Sequence, residues 1–271
     1  MHRPRYWSAA QREAALCAFI PWSSLVDACT VATRGGDYLR AWRLAGIPFE
    51  TAGENYILDC HESACNTLRS LSGGHFAVYS HLVRRRVTVS LPSPREPAFA
   101  VELDARYQAS LTAKPMMATE LYLTLLYRPF VAKSARAFSK ARKTSDEIRE
   151  AQQVALAELD EKGAILAGGL RAFGPRLLAR YEREGRRYSE LLEFLRFLVT
   201  GAWQRVPEFA GPIYRSMAGV RLFFGGANVE VREATSSRFG QLLDILEYPS
   251  EVQPGTLDCL LYQDAEFVQT Q

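Results

Sequence analysis

Leu25 to Ala45 reads LVDACTVATRGGDYLRAWRLA, and this stretch decides the fold class. Leu25 to Thr33 and Tyr38 to Ala45 are rich in β-branched and aromatic residues, which suit a pleated, half-buried surface. Arg34-Gly35-Gly36-Asp37 between them supplies a turn that tolerates positive φ, so the stretch is predicted to be a β-hairpin. Residues 51 to 71 then place Ile57, Leu58, Ala64, Cys65 and Leu68 near helical spacing and stop before Gly73-Gly74. An extended segment from His75 to Leu91 follows, marked by Phe76, Val78, Val83, Val87 and Val89 and closed by Pro92-Ser93-Pro94. A helix from about Ala98 to Leu111 and a strand from about Thr119 to Tyr127, stopped by Pro129, repeat that order. Strand pair, helix, strand, helix, strand predicts an α+β fold. The expected architecture is a mixed or antiparallel sheet with helices packed on one face, in a ferredoxin-like or related split arrangement.

From Ala132 to about Arg187 the pattern is helical and highly charged. Its main helix is expected to start at Ser145-Asp146-Glu147, where acidic side chains complement the helix dipole. Gly163, Gly168-Gly169 and Gly174-Pro175 are expected to interrupt the stretch, giving two or three helical pieces with a break near Gly174. Tyr188 to Val199 is the cleanest amphipathic helix, with Tyr188, Leu191, Leu192, Leu195, Leu198 and Val199 on one face. Phe194 and Phe197 lie off that face, which leaves them either facing a partner or buried against a second internal layer. A β-rich part follows: Val220 to Phe224, a Gly225-Gly226 turn, Val229 to Arg232, and Phe239 to Tyr248. A short helix is expected at Leu257 to Tyr262 and the start of a strand at Glu266 to Gln269. The chain thus divides into an α+β part (1–130), a helical segment (131–201) and a β-rich part (202–271), expected to form one compact module.

Composition narrows the function classes. With 48% hydrophobic and 23% charged residues in 271, the chain is ordinary folded material. Apolar runs such as Leu121 to Tyr127 fall far short of the roughly 20 residues that cross a bilayer. The basic start, Met1-His2-Arg3-Pro4-Arg5, lacks the apolar stretch and cleavage site of a secretory signal, so a cytoplasmic location is expected. Cys17, Cys29, Cys60, Cys65 and Cys259 are odd in number and scattered, which fits reduced thiols. Cys60, His61 and Cys65 have no second Cys/His pair at ligand spacing, and closed zinc sites need four ligands. The net charge of +3 hides an asymmetry: residues 228–271 hold eight acidic and two basic side chains, about −6, leaving about +9 for the rest. Such a separation serves either to steer an acidic partner or to make two complementary internal surfaces.

Motifs for catalysis are missing. There is no G-x-S-x-G elbow, no H-E-x-x-H, no G-x-G-x-x-G, and no Gly-Lys dipeptide from which a phosphate-binding P-loop could be built. No catalytic, cofactor-binding or metal-binding residue is therefore assigned. Arg84-Arg85-Arg86 is the one candidate cluster. Strand alternation sends Arg84 and Arg86 to one face and Arg85 to the other. Guanidinium forks pair with phosphate oxygens or with carboxylates of neighbouring elements. Nucleic-acid binding would call for aromatic platforms among the basic residues, and Tyr79 and His81 supply only a weak version.

Segments along the chain nevertheless carry a resemblance. FIPWSSLVDACTVATRGGDYLRAW (residues 19–42), HLVRRRV (81–87), DARYQASL (104–111) and ELYLTLLYRP (120–129) resemble, in this order, the amino-terminal region of the type IV secretion and conjugation ATPases of the CagE/TrbE/VirB family. YSELLEFLRFLVTG (188–201), RFGQLLDILEY (238–248) and PGTLDCLL (254–261) continue it. The resemblance implies that a hydrolytic domain, with its ATP and magnesium, lies beyond Gln271, and that this chain needs no cofactor. It also implies partners: other secretion-system subunits at the inner membrane and further copies of the chain, in a protein peripherally associated with the bacterial inner membrane. Nucleic acid handled as cargo, or an adaptor role without hydrolysis, are the alternatives.

Overall fold

Asp27 turns the first expected strand into two. One of its carboxylate oxygens accepts the Cys29 backbone N–H at 2.8 Å and the other the Thr30 hydroxyl at 3.0 Å. This is the local turn chemistry that aspartate favours. Leu25 to Thr33 is therefore not one strand but the end of β1 (Trp22–Leu25), a tight turn, and β2 (Val31–Thr33). The computed structural model describes residues 16–87, 98–112, 116–129, 144–208, 211–226, 228–243 and 265–271. The expected helix at 257–262, the end of the strand expected to Tyr248, and Cys259 lie outside them.

The predicted hairpin joins β2 to β3 (Tyr38–Leu44), with Gly36 at φ +85° in its turn. Helix α1 (Glu54–Ser70), β4 (Phe76–Val87), α2 (Ala98–Thr112) and β5 (Met116–Tyr127) follow in the expected order. Strand β5 lies between β3 and β4 and runs antiparallel to both, so β3 and β4 are parallel to each other around an inserted strand. That is a split β-α-β unit. Strand β6 (Pro175–Leu177) pairs with β3, and β12 (Phe267–Thr270) pairs with the outer edge of β4. The main sheet has seven strands in the order β1-β2-β3-β5-β4-β12, with β6 beside β2 on the edge of β3, and every pairing is antiparallel. The α+β class holds.

Helix α3 (Ser145–Gly169) is one uninterrupted helix of 25 residues, which corrects the expected interruption at Gly163, and it ends at Gly169, the second glycine of the expected Gly168-Gly169 interruption. Thr144 and Glu147 form a reciprocal capping box at its start. Its buried stripe is Ala155, Leu159, Gly163 and Leu166. Gly163 lies on that stripe under Trp42, where an added Cβ would stand 3.1 Å from the indole. At Gly169 an added Cβ would come within 1.8 Å of the Thr67 hydroxyl of α1. These glycines are packing notches that let α3 approach the sheet and α1 closely. A single 3-10 turn (Arg171–Phe173) follows and is closed by Gly174, in the left-handed region with φ +59°.

The chain from Pro175 to Ser189 is not helical as expected. It forms β6, then β7 (Arg180–Arg183) and β8 (Arg186–Ser189), a hairpin whose two turn residues, Glu184 and Gly185, both have positive φ. Four arginines in ten residues hid the alternation. Helix α4 (Glu190–Thr200) is capped by the Ser189 side chain and closed by Gly201 at φ +65°. Helix α5 (Ile213–Met217) leads to a small sheet of β9 (Arg221–Phe224), β10 (Val229–Arg232) and β11 (Ser237–Gly240).

Helices cover both faces of the main sheet rather than one. Trp42, Leu44, Leu123, Leu125 and Tyr127 pack with Ala155, Leu159 and Leu166 of α3. On the opposite face Leu39, Ala41, Val83 and Tyr122 pack with Leu191, Leu192, Phe194, Leu195 and Phe197 of α4 and with Ile213 and Met217 of α5. Period-two alternation along β3 and β5 makes two apolar faces, and each needs a cover. Each leucine buried this way is worth about 2 kcal/mol.

Candidate functional site

Glu120 enters the α4-covered face of the sheet at the start of an apolar strand, two residues from Tyr122. It is 7% exposed. Arg85, on the neighbouring strand, grips it with two hydrogen bonds of 3.1 and 3.0 Å; Arg43 donates at 2.8 Å and the Tyr122 hydroxyl at 2.8 Å. Burial alone would push the Glu120 carboxyl up. The hydrogen bonds from Arg85 and Tyr122, with the charges of Arg85 and Arg43, outweigh that and hold it below the ordinary glutamate value. Tyr122 is pushed far above the usual tyrosine range by burial and by the carboxylate beside it. The Glu120 bonds raise Arg85 further. Four donors on two oxygens leave this carboxylate ionised and occupied, a poor acid, base or metal ligand but a strong joint between strands.

The joint extends across the sheet. Cross-strand partners share a face, and one row runs Arg176, Arg43, Tyr122, His81, Thr270 through β6, β3, β5, β4 and β12. Arg176 pairs with Glu190 at the start of α4 at 2.6 Å. His81 is hydrogen-bonded to Thr270 at 3.0 Å and Thr124 at 3.2 Å, lies edge-on to Phe194, and is lowered to about 4 by burial, so it is neutral at pH 7. Beside Arg85 lies the Trp203 ring, with the guanidinium 5.6 Å from its centre. Strand β4 also meets the acidic end of the chain: the Arg86 backbone N–H donates to Glu266 at 2.8 Å.

The three arginines therefore have separate settings. Arg85 is committed to Glu120, Arg84 donates to Thr119 at 3.0 Å on the other face, and Arg86 is exposed. They do not converge on one point. Phe194 and Phe197 are 0% and 6% exposed, inside the core rather than turned to a partner. Phe194 stacks on Tyr122 at 4.5 Å between ring centres. Helix α4 is sandwiched between the sheet and the segment after it, so its burial runs nearly all the way round, while Leu198 and Val199 are only half-buried.

A second buried carboxylate, Glu193 on α4, was not foreseen. It is 6% exposed, accepts the Tyr181 hydroxyl of β7 at 2.7 Å and faces the Val206 N–H at 3.4 Å. Burial raises its pKa, and these two donors with Arg205 offset only part of that. Tyr181 is pushed up to about 12, first by burial and then by Glu193. Glu120 was within reach of sequence reading, being a lone carboxylate in an apolar strand; Arg43 and Trp203 gave no local signal.

No P-loop can be built from these residues, and among the described residues no group of three or more His, Cys, Asp or Glu could hold a metal ion. Cys17, Cys29, Cys60 and Cys65 are free thiols. No helix among the described residues is long and apolar enough to cross a membrane.

Comparison with known proteins adds the rest. Residues 29–134 match the family described as type IV secretion system ATPase VirB4/TrbE, N-terminal domain, and residues 176–271 match the CagE, TrbE, VirB family, component of type IV transporter system. The type IV secretion system protein virB4 of Brucella suis is 36% identical over 275 residues, covering 98% of this chain and 33% of its own length. PtlC of Bordetella pertussis, also a type IV secretion system protein, is 36% identical over 268 residues, 96% of this chain and 32% of its own. The virB4 protein of Bartonella quintana is 31% identical over 270 residues, 97% of this chain and 34% of its own. The chain spans about a third of the length of these relatives.

Proposed function

The chain belongs to the VirB4/TrbE and CagE/TrbE/VirB family of type IV secretion ATPases, and on that footing we propose that it is a non-hydrolysing module that docks and assembles the export motor. Its matched amino-terminal domain makes it a module of such an ATPase; docking to inner-membrane subunits and self-association are the proposed work. One observation carries this reading: similarity runs along nearly the whole chain while the Gly-Lys of a P-loop is nowhere in it. ATP and magnesium would then be held by residues outside these 271. The cross-strand row supports a joined unit, because it ties β3, β4 and β5 to β6, α4 and β12, from all three parts of the chain.

Co-purification with the inner-membrane subunits of a type IV secretion system tests the docking role. Specific retention is expected, and its absence at low and moderate salt would count against the reading. The same protein incubated with ATP and magnesium is expected to give no turnover above a buffer blank. Handling of nucleic acid has weaker footing, since Arg85 is already paired with Glu120. Binding of a single-stranded oligonucleotide with a steep salt slope would revive it.

A further inference from the structure

We draw no further inference here: the strongest candidate, the exposed apolar stripe of Phe99, Leu103 and Tyr107 along α2, is a helix face without a partner among the described residues, and nothing in the structure shows what covers it.

Discussion

Glu120 and Glu193 are both glutamates, both more than nine-tenths buried, both on the α4-covered side of the sheet, and both bonded to a tyrosine hydroxyl. Their carboxyl groups shift in opposite directions, Glu120 down and Glu193 up. The difference is the company each keeps. Glu120 has two guanidiniums within ion-pair distance, whereas Glu193 has a phenol, one long backbone bond, and Glu190 adding a like charge. Burial costs a carboxylate about the same in either place, so the number of donors and the sign of the nearest charges decide which protonation state the fold prefers.

The largest effect is expected from removing the better-satisfied carboxylate. Glu120→Ala leaves Arg43 and Arg85 facing each other in a half-buried site, and urea unfolding at pH 7 is expected to show a loss of about 3 kcal/mol. Arg85→Met tests the same contrast from the other side. It is expected to cost about 2 kcal/mol and to bring the Glu120 titration, read by NMR of the labelled carboxyl, up toward that of Glu193. An unchanged Glu120 titration would refute the assignment of its shift to the guanidiniums.

Glu193→Gln is expected to do the reverse of Glu120→Ala. A raised pKa means that the folded state holds the proton more tightly; this contribution is fully present below the ordinary value of 4.5 and is lost as pH rises through the raised value. The glutamine variant should therefore be more stable than the parent at pH 7, with the gain vanishing below the ordinary glutamate value of 4.5. For Glu120 the sign is opposite. Its contribution is present above 4.5 and is lost as pH falls through the lowered value, so the stability of Glu120→Gln should fall less steeply in acid than that of the parent. The smallest effect is expected from Tyr181→Phe, about 1 kcal/mol in thermal or urea unfolding, because Glu193 keeps only its long bond to the Val206 N–H.

Much of the fold was legible in residues 25 to 127, because turns, alternation and helical period are local. Two failures have a common cause. Gly163 looked like a helix breaker, yet it stands inside α3 under Trp42, where an added Cβ would sit only 3.1 Å from the indole. Glycine's cost in a helix is about 1 kcal/mol, which close packing readily offsets. The β7–β8 hairpin was lost in the other direction, since its strands are charged and its only local mark is the Glu184-Gly185 turn. Of the site, the arginines were visible and their partners were not.

Local chemistry was enough to set the element order from Tyr38 to Tyr127, the α+β class and the want of a phosphate-binding loop, since each depends on residues within a few positions of one another. The fold alone assigned Arg85 to Glu120, 35 residues away, and the Arg86 backbone to Glu266, 180 away. It also turned Phe194 into the core. Such pairings are settled by sheet order and register, and two carboxylates that look alike in sequence acquire opposite character only from the side chains that the folded sheet brings against them.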